Sequence, residues 1–212
     1  MKHKIFIDMD ETLTKSICAF VETYKEAHRY ELEEGLLPYP IWEGISLWNM
    51  KDEMPFLKLK ELNDIFDSPR LFDHLAFYSD TNGVTMKDFI RELLDENDVD
   101  VKIASKGNMQ NLYYKHKFIK QKLPFFSIDN FIPMMGTKMD KSELEGLVLL
   151  DDNQGNLYSA NVKYRVLVNF SGKKKEWNSK AMDDPTIYKC FSVSDVINTV
   201  KELLDFERSV VS

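Results

Sequence analysis

The sequence predicts an α/β protein: a doubly wound, Rossmann-like parallel sheet carrying a small helical insert. Short, continuous apolar runs alternate with amphipathic helical stretches, as expected when crossover helices cover both faces of parallel strands. Those apolar runs end in acidic or hydroxyl residues, where open α/β sheets place their ligands. One segment, 16–75, breaks the rhythm: it is rich in proline and tryptophan and shows no strand-like alternation.

The first strand is read over 4–8, from Ile5-Phe6-Ile7 into Asp8. Helical patterns follow, one carrying Cys18, Phe20, Val21 and Tyr24, another Leu57, Leu59, Leu62, Ile65 and Phe66. The expected division is therefore a core of 1–15 and 76–212 with a helical cap over 16–75. Core patterning resumes near Asp80. Thr85 with Asp88 three residues on resembles a capping box, and Met86, Phe89, Ile90, Leu93 and Leu94 then share a face. Val99–Ala104 reads as a strand ending at Ser105, followed by a helix through Leu112 and Ile119 that stops before Pro124. Further strands are read at Ile128–Pro133, Leu147–Leu150 and Arg165–Phe170. A closing helix follows Ser192, with Asp195 at its third position. The Lys173-Lys174-Lys175 run reads as a solvated loop.

The chain of 212 residues is long enough for one core with an insert. Apolar residues make up 43% and charged residues 30%, a globular balance. A net charge of -7 disfavours a nucleic-acid polymer as partner. The two cysteines, Cys18 and Cys190, form no C-x-x-C pair and read as free thiols of a reducing compartment. No apolar stretch is long enough to span a bilayer. A soluble, cytoplasmic protein without membrane partners is expected, with a homodimer as one possible assembly.

The chemistry is concentrated in Asp8-Met9-Asp10-Glu11-Thr12. Two carboxylates leave a buried strand one residue apart, and side chains two apart in extended chain share a side. Phosphate esters need an oriented nucleophile, charge neutralisation and a proton for the leaving oxygen. Asp8 suits the nucleophile, forming an acyl phosphate that water later breaks. Asp10 can protonate the leaving oxygen and then take a proton from the attacking water. Thr12 can brace the turn through its hydroxyl. Ser105, at a strand end, can donate to a phosphoryl oxygen or serve as an ordinary N-cap. Lys141, with Lys138 as a rival, can neutralise the nucleophile and the phosphoryl group, or be a surface lysine. Asp151-Asp152 follows four apolar residues. Mg²⁺ held by Asp8, the Asp10 carbonyl and one acid of that pair explains the placement, and a turn through Gly155 is the plainer alternative.

Taken in order, these sites resemble the haloacid dehalogenase superfamily of phosphohydrolases. More narrowly, the chain is similar to the 5'(3')-deoxyribonucleotidase family. Asp8-Met9-Asp10, Phe66–Phe72, Lys117–Pro124 and the span from Asp140-Lys141 to Asp151-Asp152 carry that likeness. The resemblance implies Asp8 as nucleophile and metal ligand, Asp10 as acid/base and carbonyl ligand, and Ser105 and Lys141 as phosphate contacts. It also implies Asp152 as the metal ligand of its pair, with Asp151 behind it. The implied cofactor is Mg²⁺, and the implied substrate is a nucleoside monophosphate under a closing cap. The chain departs from the family in having Glu11 where glycine is usual, and Ala104-Ser105-Lys106 where Thr-Ser-Pro is usual. Trp42, Trp48 or Phe20 can supply the surface that stacks on a base, with Trp48-Asn49 the first pair to test. A sugar phosphate or other small metabolite is the alternative substrate class, and a non-catalytic phosphate-binding protein the alternative from outside enzymes.

Overall fold

The structure is a computed structural model describing residues 2–40, 50–135 and 141–211. Strand β1 (His3–Ile7) opens the chain. Among the described residues, five helices follow: α1 (Ser16–Ala27), α2 (Arg29–Glu33), α3 (Met50–Glu53), α4 (Leu59–Phe66) and α5 (Pro69–His74). No strand is found among the described residues of 16–75. Next come α6 (Met86–Asp95), β2 (Val99–Gly107), α7 (Met109–Lys122), β3 (Phe131–Met135) and β4 (Glu145–Asp151). The chain closes through α8 (Gln154–Ser159), β5 (Asn161–Val168), α9 (Ser179–Asp183), β6 (Tyr188–Cys190) and α10 (Val193–Val211).

The strands form one parallel sheet in the order β3-β2-β1-β4-β5-β6. Winding reverses between β1 and β4, so the crevice beyond their carboxyl ends is the topological switch point. Ile5 pairs with Val148 and Ile7 with Leu150, which sets Asp8 beside the end of β4. Alternation along the strands divides the interior. Ile5, Ile7, Val101, Ile103, Val148 and Leu150 face the cluster that includes α6, α7 and α10, whereas Phe6, Ala104, Leu149 and Leu167 pack toward α8 and α9. Gly146 is required where β4 passes β1, because a Cβ there would lie 2.7 Å from the Phe6 ring.

Several boundaries differ from the sequence reading. β2 runs two residues past Ser105, so the N-cap of α7 is Asn108, whose side chain accepts from the Asn111 amide at 2.9 Å. The strand read from Ile128 starts at Phe131, after a 3₁₀ turn. β5 starts at Asn161 and ends before Asn169-Phe170. Asn153 caps a helix rather than closing a turn, and β6 had no counterpart in the reading. Lys175 is buried with its ammonium 4.9 Å from the Trp177 ring centre, so the lysine run is not wholly solvated. Cys18 and Cys190 are both free. Among the described residues, no helix is long and apolar enough to cross a membrane.

Candidate active site

β1 delivers Asp8, β4 delivers Asp151 and Asp152, and all three are buried. Each offers a carboxylate oxygen within 4.8 Å of the others. Lys141 is fully buried among them. Its ammonium donates to Asp8 Oδ1 and, at 2.5 Å, to Asp151 Oδ2. This is no surface lysine. Lys138 lies outside the described residues.

The remaining bonds separate the two adjacent acids. Asp151 Oδ1 accepts from the Asn153 amide at 2.8 Å and from Asn156 Nδ2 at 3.1 Å, so both of its oxygens are engaged. Asp152 Oδ2 accepts from the Trp177 indole at 2.7 Å. Asp152 therefore has more acceptor capacity left for a cation.

Electrostatics give the cluster its character. Burial pushes the Asp8 carboxyl up to about 7; Lys141 opposes the shift, and Asp151 and Asp10 add to it. Burial also raises Asp152 well above the usual aspartate range, with Asp151, Asp8 and Glu11 contributing and the Trp177 hydrogen bond opposing. Burial works against charge on Lys141, but Asp151 and Asp8 outweigh it and hold the ammonium protonated beyond the ordinary lysine range. Among the described residues, three buried carboxylates thus share one bonded ammonium. That imbalance, in an all-oxygen donor set, fits a hard divalent cation such as Mg²⁺.

Asp10 sits beside this cluster. Its Oδ1 accepts from Ser16 Oγ at 2.7 Å, and its Oδ2 accepts from Lys115. Lys115 projects from α7, is buried, and also donates to Ser105 Oγ at 2.9 Å and to the Lys106 carbonyl at 2.8 Å. Ser105 and Asp10 are therefore joined by a cation that sequence reasoning missed. The helical period carries a signal that could have found it: Lys115 lies three residues after Leu112 and three and four before Phe118 and Ile119, on the buried stripe of α7, whereas Lys117 and Lys120 fall off that stripe.

Thr12 does not brace the turn. Its hydroxyl is buried without a hydrogen-bond partner among the described residues. Thr14 performs that task, donating to the Met9 carbonyl at 3.0 Å and lying 3.3 Å from Ser16 Oγ. Glu11 adopts a left-handed φ of 54°, a conformation that favours glycine. Its carboxylate accepts from the Ile17 amide and from the Tyr78 hydroxyl, each at 2.7 Å. Burial raises its pKa, against both hydrogen bonds.

Phe20 is withdrawn as a stacking surface: it is fully buried, its ring centre 4.5 Å from that of Phe66. Trp42, Trp48 and Asn49 lie outside the described residues. The Phe66–Phe72 segment is tied to the start of α7. Asn108 Nδ2 donates to the Asp67 carboxylate at 2.7 and 2.9 Å, and Asn111 Nδ2 donates to the Phe66 carbonyl at 2.9 Å.

No protein-family model and no curated protein matches the sequence. Similarity is found in the folds of solved structures. A haloacid dehalogenase-like hydrolase of Bacteroides fragilis superposes with a TM-score of 0.60 at 14% identity, covering 92% of this chain and 100% of that one. A haloacid dehalogenase-like family hydrolase of Streptococcus pneumoniae gives 0.59 at 12% identity, covering 94% and 98%. A predicted phosphatase of Clostridium acetobutylicum gives 0.59 at 12% identity, covering 95% and 99%. With six parallel strands and flanking helices among its described residues, the chain shares the fold of these solved haloacid dehalogenase-like structures.

Proposed function

We propose that this chain is a Mg²⁺-dependent phosphomonoester hydrolase working through an aspartyl-phosphate on Asp8. The observation that carries the reading is the buried convergence of Asp8, Lys141, Asp151 and Asp152 at the switch point of the sheet. When bound by Asp8, Asp152 and the Asp10 carbonyl, the cation offsets the negative charge of carboxylates and phosphate and favours ionised Asp8. An Asp8 oxygen attacks phosphorus, and the bond to the leaving oxygen breaks as that oxygen takes a proton from Asp10. Asp10 then removes a proton from water, whose oxygen attacks the phosphorus and releases phosphate from Asp8. Ser105 and Lys141 hold the phosphoryl oxygens, and Lys141 balances their charge.

Within that reaction class, a nucleoside monophosphate is the proposed substrate and 5'(3')-deoxyribonucleotidase the proposed activity. Support comes from the family-like Phe66–Phe72 segment, which is bonded to Asn108 three residues after Ser105. Helices α1–α5 act as the cap that excludes water and reads the leaving group.

Purified protein should release p-nitrophenol from its phosphate ester with Mg²⁺ and lose that activity in chelator. Asp8→Asn should lower turnover by at least ~10³-fold in a folded protein. Retained turnover in that variant rejects the nucleophile. Comparison of kcat/KM across nucleoside monophosphates and sugar phosphates tests the substrate class, and absence of a nucleotide preference rejects it.

A further inference from the structure

We propose that Lys115 is a positioning residue for this reaction, fixing the Asp10 carboxylate and directing the Ser105 hydroxyl proton with one ammonium group. The inference rests on the phosphatase reading and adds to it a residue outside the acid cluster.

A lysine ammonium carries three donors and no acceptor. Lys115 spends them on three different groups: Asp10 Oδ2, Ser105 Oγ and the Lys106 carbonyl. It is 3% exposed, and burying an ammonium is costly unless it is bonded this completely. Its position follows from the fold. Ser105 lies on the same side of β2 as Val101 and Ile103, the side that α7 covers, so Lys115 meets it from above.

Two consequences follow from the bonding directions. Because Lys115 can only donate, Ser105 Oγ is the acceptor in their bond, and its own proton has no acceptor among the described residues. That proton is left for a phosphoryl oxygen. Asp10 is held from both sides, by Ser16 at Oδ1 and by Lys115 at Oδ2. Each carboxylate oxygen keeps a second lone pair for the proton that passes to the leaving oxygen. Lys115 thus ties the orientation of the acid/base to that of a phosphate contact.

A lysine serving only to anchor α7 predicts something different, and the leaving group separates the two. p-Nitrophenolate departs without a proton, whereas an alkoxide needs one from Asp10. In Lys115→Met, which keeps the apolar stem, kcat/KM for an alkyl phosphate should fall ~10²-fold or more, and for p-nitrophenyl phosphate by less than ~10-fold. Ser105→Ala should also cost less in the Lys115→Met background than in the wild type, because the hydroxyl there is no longer directed. Equal losses on both substrates, or strictly additive losses with Ser105→Ala, overturn the proposal. Should Lys115→Met not fold by circular dichroism, Lys115→Gln is read on the same substrates; failure of both to fold marks Lys115 as a structural cation and overturns the proposal. Asp8→Asn is assayed in parallel. Wild-type turnover independent of Asp8, or absent, rejects the phosphatase reading itself; Asp8-dependent turnover with equal Lys115 losses rejects Lys115 alone.

Discussion

Glu11 occupies a backbone conformation that suits glycine, and its side chain explains why it is tolerated. A non-glycine residue at positive φ costs on the order of 1 kcal/mol. Against this, the carboxylate reaches the Ile17 amide in the first turn of α1, where the N-cap residue Lys15 supplies no side-chain bond. A negative charge at a helix N-terminus is favourable, and the Tyr78 hydroxyl gains a partner as well. Glu11→Ala keeps the strain and loses both bonds, so it should cost about 2 kcal/mol in urea unfolding. Glu11→Gly loses the same bonds but relieves φ, and should fall between Ala and wild type. A Gly variant less stable than Ala would refute the strain argument. Trp177 matters at the same scale, since its indole fixes Asp152. Trp177→Phe should weaken Mg²⁺ activation roughly 10–100-fold while the protein stays folded, as read from activity against Mg²⁺ concentration. The strand-end acids were legible because they end apolar runs. Lys115 and Trp177 were missed: the helical stripe places Lys115 on the buried face, but its partners and those of Trp177 are set only when α7 and the 169–178 loop pack over the strands.

Two helix starts whose signals are local were read correctly, whereas features set from a distance were not. The Thr85–Asp88 box is present: the Thr85 hydroxyl accepts from the Asp88 amide at 3.2 Å, and Asp88 accepts from the Thr85 amide at 3.1 Å. Ser192 and Asp195 do the same for α10, with 3.0 Å bonds in both directions. The start of α10 has a second cap that no local pattern reveals. Asp80 lies 113 residues before Val193, yet accepts from its amide at 2.7 Å and from the Ser194 amide at 2.8 Å. Burial disfavours the Asp80 charge, but the Ser194 and Val193 bonds outweigh it and hold its pKa below the usual range. Asp80→Ala should therefore cost ~1–2 kcal/mol at neutral pH, and Asp80→Asn less, by urea denaturation. Equal stability of Asp80→Ala and wild type would mean that the local box suffices. β6 escaped the sequence reading for a related reason. At three residues it has too little alternation to register, and it is recognisable only by pairing Val166–Val168 with Tyr188–Cys190.

Across the whole molecule, the pH dependence of stability should have two opposing parts. Asp98 is held down to about 2, first by its hydrogen bonds from Arg208, which link α10 to the turn before β2. Asp80, Asp88 and Glu207 are also lowered. Depressed carboxylates contribute stability above their unfolded pKa of about 4, and that contribution is lost as pH falls toward the folded value. The acids of the candidate site have the opposite sign. Asp8 and Asp152 hold their protons more tightly in the folded chain than in the unfolded one. Between about pH 4 and the Asp8 value of about 7, the folded state therefore binds more protons, and stability declines as pH rises. The two parts together predict that the metal-free protein is most stable near the low end of that window. A divalent cation in the cluster stabilises the ionised form and should flatten the decline, raising Tm most at pH 7 and little near pH 5. Asp152→Asn should reproduce part of the flattening without metal, because it removes one of three buried carboxylates, while abolishing the Mg²⁺-dependent rise in Tm. Thermal unfolding from pH 4.5 to 7.5, with Mg²⁺ and with chelator, measures both effects. A chelated wild type whose Tm climbs steadily to pH 7.5 would show that the folded chain does not hold these carboxyls protonated, and the charge argument for the cation would fail with it.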